Sequence, residues 1–181
     1  MPARTGEQFL RGLKDARQIW IGGDRVSDVA SYPAFAGAAR ELAAIFDLQH
    51  RHAADCLMPD PETGELINVS HMIPHSKADL LRRHGGLERI AEHTAGTMGR
   101  TPDYMNVTFA GFAGRTDEWG AHGNEAGAAR LVDYQKFIRR HDLALTHTIV
   151  QPVIDKSRGE VPREGDETAL HKVGETSRGI V

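Results

Sequence analysis

Two stretches decide the reading of this chain: Met98-Gly99-Arg100-Thr101-Pro102-Asp103-Tyr104 and, about forty residues later, Thr146-His147-Thr148-Ile149-Val150-Gln151-Pro152-Val153-Ile154-Asp155. Arg100 is permanently charged and offers five donors in a planar fork, which suits an oxyanion or an electron-rich ring. Pro102 fixes its own φ and disfavours the helical region for Thr101, so Gly99 to Asp103 is expected to be a turn with Arg100 and Tyr104 at its two ends. His147 falls in an alternating run, 145–150, that reads as a strand stopped by Pro152. An imidazole there can donate, accept or carry a proton near neutral pH. Residue types alone leave a plainer reading open, in which the arginine is a surface ion-pair partner, the tyrosine half-buried and the histidine a satisfied hydrogen bonder.

Working outward, Thr5 with Gln8 has the spacing of a capping box ahead of Phe9, Leu10 and Leu13. Ile19 to Val26, with Gly22-Gly23-Asp24 at its centre, predicts a small β-hairpin. Pro33 suits a first helical turn, and Phe35, Ala38, Ala39, Leu42, Ile45 and Phe46 follow at helical spacing. Residues 55–75, interrupted by Pro59, Pro61, Gly64 and Pro74, read as a loop with one extended piece at 66–69. Ser76 with Asp79 caps a further helix, which Gly85 and Gly86 are expected to weaken or divide before it resumes through Leu87, Ile90, Ala91 and Thr94. A helical piece within 105–118 and a helix from Asn124 to the basic Arg139-Arg140-His141 follow. The pattern then switches to strands at 145–150 and 168–174 around a charged loop at 156–166. No internal repeat is visible.

The chain has 181 residues, 40% hydrophobic and 26% charged, with a net charge of -3. That excludes a disordered or membrane-spanning chain and gives no basic excess for nucleic acid. One cysteine, Cys56, excludes an intrachain disulfide framework. With no signal segment before residue 30 and no apolar run long enough for a bilayer, the expected location is the cytoplasm. His71 and His75, and His50 and His52, have metal-like spacings, but Pro74 and the lack of a completing ligand set argue against a tetrahedral site. Gly120-Ala121-His122-Gly123 is too short and too poorly placed for a phosphate loop. Trp20 and Trp119 read as core or rim aromatics.

The two quoted stretches resemble the N-terminal part of the flavin-dependent 4-hydroxyphenylacetate 3-hydroxylase family. Thr5-Gly6-Glu7-Gln8-Phe9-Leu10, the Ile19 to Val29 stretch ending in Asp28-Val29, Tyr32-Pro33-Ala34-Phe35 and Ser76-Lys77-Ala78-Asp79-Leu80 fall in that family's order and at similar spacing. The resemblance implies a mainly α, acyl-CoA-dehydrogenase-like fold. Residues 1–143 would form an N-terminal helical domain with a small β-hairpin, and 144–181 the beginning of a truncated middle β-barrel domain. It implies ortho-hydroxylation of a phenol such as 4-hydroxyphenylacetate to a catechol. FAD, as FADH2 from a separate NAD(P)H flavin reductase, would be the cofactor and O2 the co-substrate. Arg100, Tyr104 and His147 would be catalytic, and His147, Thr148, Ile149, Val153, Ile154 and Asp155 would line the flavin. Gln151 departs from the asparagine usual in the family. A homo-oligomer, specifically a homotetramer, is implied for the full-length protein. Two alternatives stay open: a non-catalytic interaction module, and a relative of 4-hydroxybutyryl-CoA dehydratase, which Cys56 alone disfavours.

Overall fold

Thr5 opens the first helix as its spacing requires: its hydroxyl accepts from Gln8 N at 3.2 Å, while Gln8 Oε1 accepts from Thr5 N at 2.9 Å. The structure is a computed structural model and describes residues 3–96 and 102–145, with the backbone of 175–176 and 179–180. Two compact units result, Met1–Thr146 and His147–Val181. In the second, the described residues form one antiparallel ribbon, Glu175–Thr176 paired with Gly179–Ile180.

The first unit is mainly helical. Helix α1 (Gly6–Gly12) lies across α2 (Ala36–Arg51), and Phe9 stacks on Phe46 with ring centroids 5.0 Å apart. Those rings and Ala43 make one core cluster, with Leu10, Leu13, Leu42 and Ala144 around it. Burying each phenylalanine contributes roughly 1.5–3 kcal/mol. Gly6 allows the close crossing, because a Cβ there would collide with the Ala43 carbonyl. Its N–H donates to Asp47 Oδ1 at 2.7 Å. Ile45 and Leu48 on the next face of α2 meet Ile90 of α4 (Lys77–His93) in a second cluster.

Between α1 and α2, strands β1 (Ile19–Ile21) and β2 (Asp24–Val26) pair antiparallel, and positive φ values at Gly22 and Gly23 make the turn. After α2 come α3 (Ala53–Cys56), β3 (Leu57–Pro59), β4 (Leu66–Asn68) and a 3-10 turn at Val69–His71. The extended piece expected at 66–69 is β4, but the loop reading of the rest of 55–75 is corrected by β3 and α3. Leu57 pairs with Asn68, Met58 with Ile67 and Pro59 with Leu66. The prolines sit at the ribbon's turn end, and Asp60 closes that turn: its Oδ1 accepts from Glu62 N at 2.7 Å and Thr63 N at 3.1 Å.

Helix α4 is also undivided, contrary to the expectation from Gly85-Gly86. Gly86 is buried against the 3-10 turn, where a Cβ would run into Val69 Cγ2 and come within 3.0 Å of Asp55 O. The glycine permits packing there; it does not break the helix. Helix α5 (Pro102–Ala113) starts at the proline itself, so Asp103 and Tyr104 belong to its first turn and not to a corner. The short α6 (Thr116–Trp119) leads to α7 (Glu125–His141). Asp142 ends α7 in the left-handed region, with Leu143 N donating to Ile138 O at 3.2 Å.

The expected strand at 168–174 lies outside the described residues, as does 146–150 of the expected 145–150 strand. No described helix is long and apolar enough to cross a membrane.

Candidate functional site

The first turn of α5 carries Tyr104, the one expected catalytic residue among the described residues. Its side chain is 40% exposed, and its carbonyl accepts from the Thr108 hydroxyl at 2.9 Å, one turn on. Arg100 and His147 lie outside the described residues, and so do Thr148, Ile149, Val153, Ile154 and Asp155.

Beneath Tyr104 the turn is polar and largely buried. Burial pushes the Asp103 carboxyl up to about 6, against hydrogen bonds from the backbone at Asp103 and Tyr104 that favour its charged form. Asp103 Oδ1 is buried and receives no hydrogen bond from a described residue. Asn106 donates through Nδ2 to Ser70 Oγ at 3.0 Å, whereas its own Oδ1 is buried with no described partner.

Ser70 connects this turn to a chain of buried amides. Its N–H donates to Asn68 Oδ1 at 2.9 Å, Asn68 Nδ2 to Gln49 Oε1 at 3.0 Å, and Gln49 Nε2 to Asp142 Oδ2 at 3.0 Å. Asp142 Oδ2 also accepts from Arg4 N at 2.9 Å, and the Asp142 carbonyl from Arg4 Nε at 2.7 Å. Arg4 is itself held over the Phe46 ring, 4.7 Å from its centroid. Segments from both ends of the described helical unit thus meet in one network.

His71 lies behind it, with Nε2 3.7 Å from Asp142 Oδ1 and neither ring nitrogen hydrogen-bonded to a described residue. It also lines a largely apolar cavity of about 290 Å3 with Met58, Ile67, Met72 and Ile73. His75 is exposed, and its backbone N–H donates to Asp79 Oδ2 at 2.9 Å. His50 Nε2 lies 3.0 Å from the Arg4 carbonyl. Among the described residues no three His, Cys, Asp or Glu side chains are arranged to hold a metal ion. Burial raises the Cys56 thiol to about 11, so it keeps its proton at neutral pH.

The sequence reading passed over Asp103, Asn106, Ser70 and Asp142, which carry no spacing signal; each is an ordinary capping residue type until the fold brings it inside. The basic cluster Arg139-Arg140-His141 reads in the sequence as a helix C-terminus whose cations complement the dipole. Arg139 is buried instead, with Nε 2.7 Å from buried Asp60 Oδ2 and Nη2 3.0 Å from Glu62 Oε2.

Residues 5–181 match the family model described as 4-hydroxyphenylacetate 3-hydroxylase N terminal. The 4-hydroxyphenylacetate 3-monooxygenase oxygenase component of Geobacillus sp. (strain PA-9) is 30% identical over 182 residues, covering 100% of this chain and 37% of that protein. A crystal structure of such an oxygenase component, complexed with FAD and 4-hydroxyphenylacetate, superposes with a TM-score of 0.77 at 29% identity, covering 98% of this chain and 36% of the other. An oxygen-tolerant archaeal 4-hydroxybutyryl-CoA dehydratase from N. maritimus shares the fold alone, with a TM-score of 0.71 at 18% identity over 87% of this chain and 31% of that one. The chain is mainly α and has the architecture of the N-terminal part of an acyl-CoA-dehydrogenase-like fold, as expected, while the expected start of a β-barrel is not seen among the described residues. The chain spans little more than a third of the Geobacillus relative. By the match over residues 5–181, it belongs to the 4-hydroxyphenylacetate 3-hydroxylase N-terminal family.

Proposed function

We propose that this chain is the N-terminal part of a reduced-flavin-dependent monooxygenase component that hydroxylates a phenol, such as 4-hydroxyphenylacetate, ortho to its hydroxyl. The observation that carries the reading is the likeness, over nearly the whole chain, to an oxygenase component crystallised with FAD and 4-hydroxyphenylacetate. Reduced FAD, delivered by a separate NAD(P)H-dependent flavin reductase, supplies the electrons that activate O2 for transfer of one oxygen atom to the ring.

The chain's own residues prepare the substrate. Arg100 and His147 favour phenolate character at the substrate oxygen, which raises the nucleophilicity of the ortho carbon. Tyr104 hydrogen-bonds that oxygen and orients the ring. Its place on the first turn of α5 supports this role, because the ring is partly open while the residues beneath it are packed. A hydroxyl on such a turn is held before substrate arrives.

His147, Thr148 and Ile149, then Val153, Ile154 and Asp155, offer extended backbone N–H and C=O groups to the polar edge of the flavin and help keep water away from it. Residues 1–143 act as the helical domain and 144–181 begin the β domain. The assembly is a homo-oligomer working in the cytoplasm, with no nucleic acid or membrane partner. The dehydratase alternative rests on fold alone, and the protonated, buried Cys56 thiol is a poor ligand for an iron-sulfur cluster.

The test is coupling. The full-length protein that carries this chain as its N-terminal part is supplied with reduced FAD, O2 and 4-hydroxyphenylacetate, and catechol formed is compared with O2 consumed. Arg100→Ala and His147→Ala should consume O2 while losing most of the catechol. Unchanged coupling in both variants would refute the assigned roles.

A further inference from the structure

Asp103 Oδ1 and Asn106 Oδ1 are acceptors one helical turn apart, both buried and without a hydrogen bond from any described residue. A buried acceptor left unpaired is costly unless something donates to it. Both residues line one small, partly open pocket of about 20 Å3, whose polar wall also includes Gln49, Asn68, Ser70 and Asp142, with Ile45, Phe46 and Ile90 as its apolar side. That is room for one water molecule, and its walls are polar enough to retain one. Ser70 Oγ accepts from Asn106 Nδ2 and keeps its own proton to donate.

We propose that a single internal water is bound here, donating one hydrogen to Asp103 Oδ1 and the other to Asn106 Oδ1 while accepting from the Ser70 hydroxyl. Asp103 and Asn106 are then positioning residues, fastening the first turn of α5 to the 3-10 turn at Val69–His71 and so fixing Tyr104. Among the described residues the pocket's wall holds no other titratable group than Asp142, whose Oδ2 is already taken by Arg4 N and Gln49 Nε2. The importance of this for catalysis rests on the assignment of Tyr104 to the phenol site; the water itself does not.

The experiment uses the protein with 13C-labelled tyrosine, in which Tyr32, Tyr104 and Tyr134 give three signals. Wild type should show a water cross-peak to the backbone amides of Asp103 and Ser70. Asn106→Leu, which fills the pocket with carbon, should abolish that cross-peak and move the Tyr104 ring signal, leaving Tyr32 and Tyr134 in place. General loosening of the fold would move all three. Ser70→Ala, which keeps the pocket but removes the donor, should leave a faster-exchanging water and serves if Asn106→Leu does not fold. Absence of the water in folded wild type would overturn the proposal, as would its loss in a variant whose Tyr104 signal stays put. A protein that shows the water and the Tyr104 shift but hydroxylates no phenol would sink the functional reading and leave this inference standing.

Discussion

Replacing Asp103 with Asn should stabilise the protein at neutral pH, although Asp103 sits at a helix N-terminus where a carboxylate is ordinarily welcome. Burial raises its carboxyl from an ordinary 3.8 to about 6. Between those two values the folded protein holds a proton that the unfolded chain has released. Raising the pH through that window therefore lowers stability, and the loss persists above it. Each pH unit of separation is worth about 1.4 kcal/mol, giving on the order of 3 kcal/mol as a ceiling. Because part of the side chain keeps solvent contact, about 1–2 kcal/mol is the expected size. Asp103→Asn keeps an acceptor oxygen, adds an amide that can donate towards Asn106, and has no charge to bury. Other carboxylates titrate in both proteins, so the informative quantity is the difference between wild type and variant, followed by urea denaturation from pH 4 to pH 7.5. The variant should gain on wild type as pH rises from 4 to 6 and then hold a constant lead. A lead that does not grow with pH, or a variant less stable than wild type at pH 7, would refute the reasoning.

Adjacent glycines in α4 should respond with opposite sign. Gly85→Ala meets nothing within 4 Å and should add about 0.5–1 kcal/mol by helix propensity. Gly86→Ala drives a Cβ into Val69 and should cost about 1–3 kcal/mol net in thermal or urea unfolding. Arg139→Met strands the buried Asp60 carboxylate and should cost about 3–5 kcal/mol. Asp60→Leu combined with Arg139→Met should cost less than the sum of the two single changes, measured as a double-mutant cycle. Tyr104→Phe removes one hydrogen bond to the substrate oxygen and should lower kcat/KM for the phenol by roughly 5-fold or more.

What could be read in the sequence was local and periodic. The capping box at Thr5, the Ser76 cap, the glycine turn of the first hairpin and the run from Asn124 to His141 are each fixed by neighbours within a few residues, and each is where the pattern puts it. The misreadings share a cause, which is that tertiary partners overrode local preference. Gly86 looks like a helix breaker until Val69 is seen against it, and Pro59 looks like loop until Leu66 pairs with it. Pro102 was read through its effect on Thr101, while its own fitness for a first helical position decided where α5 begins. Arg139 was taken as a dipole partner because Asp60 is far away in sequence. The candidate site divides the same way. Tyr104 stood out through its motif, but the buried polar support beneath it is assembled from α2, β4, the 3-10 turn, α5 and the end of α7, and no single stretch of sequence displays it.

The central claim is that this chain serves transfer of an oxygen atom from O2 to a phenol ring. Its most direct test is isotopic: the full-length protein that carries this chain as its N-terminal part, a flavin reductase, FAD and NADH are given 4-hydroxyphenylacetate under 18O2, and the product is weighed by mass spectrometry. The account predicts a catechol carrying one 18O in its new hydroxyl. Consumption of 18O2 with no catechol formed, or a catechol whose new oxygen comes from water, would contradict it.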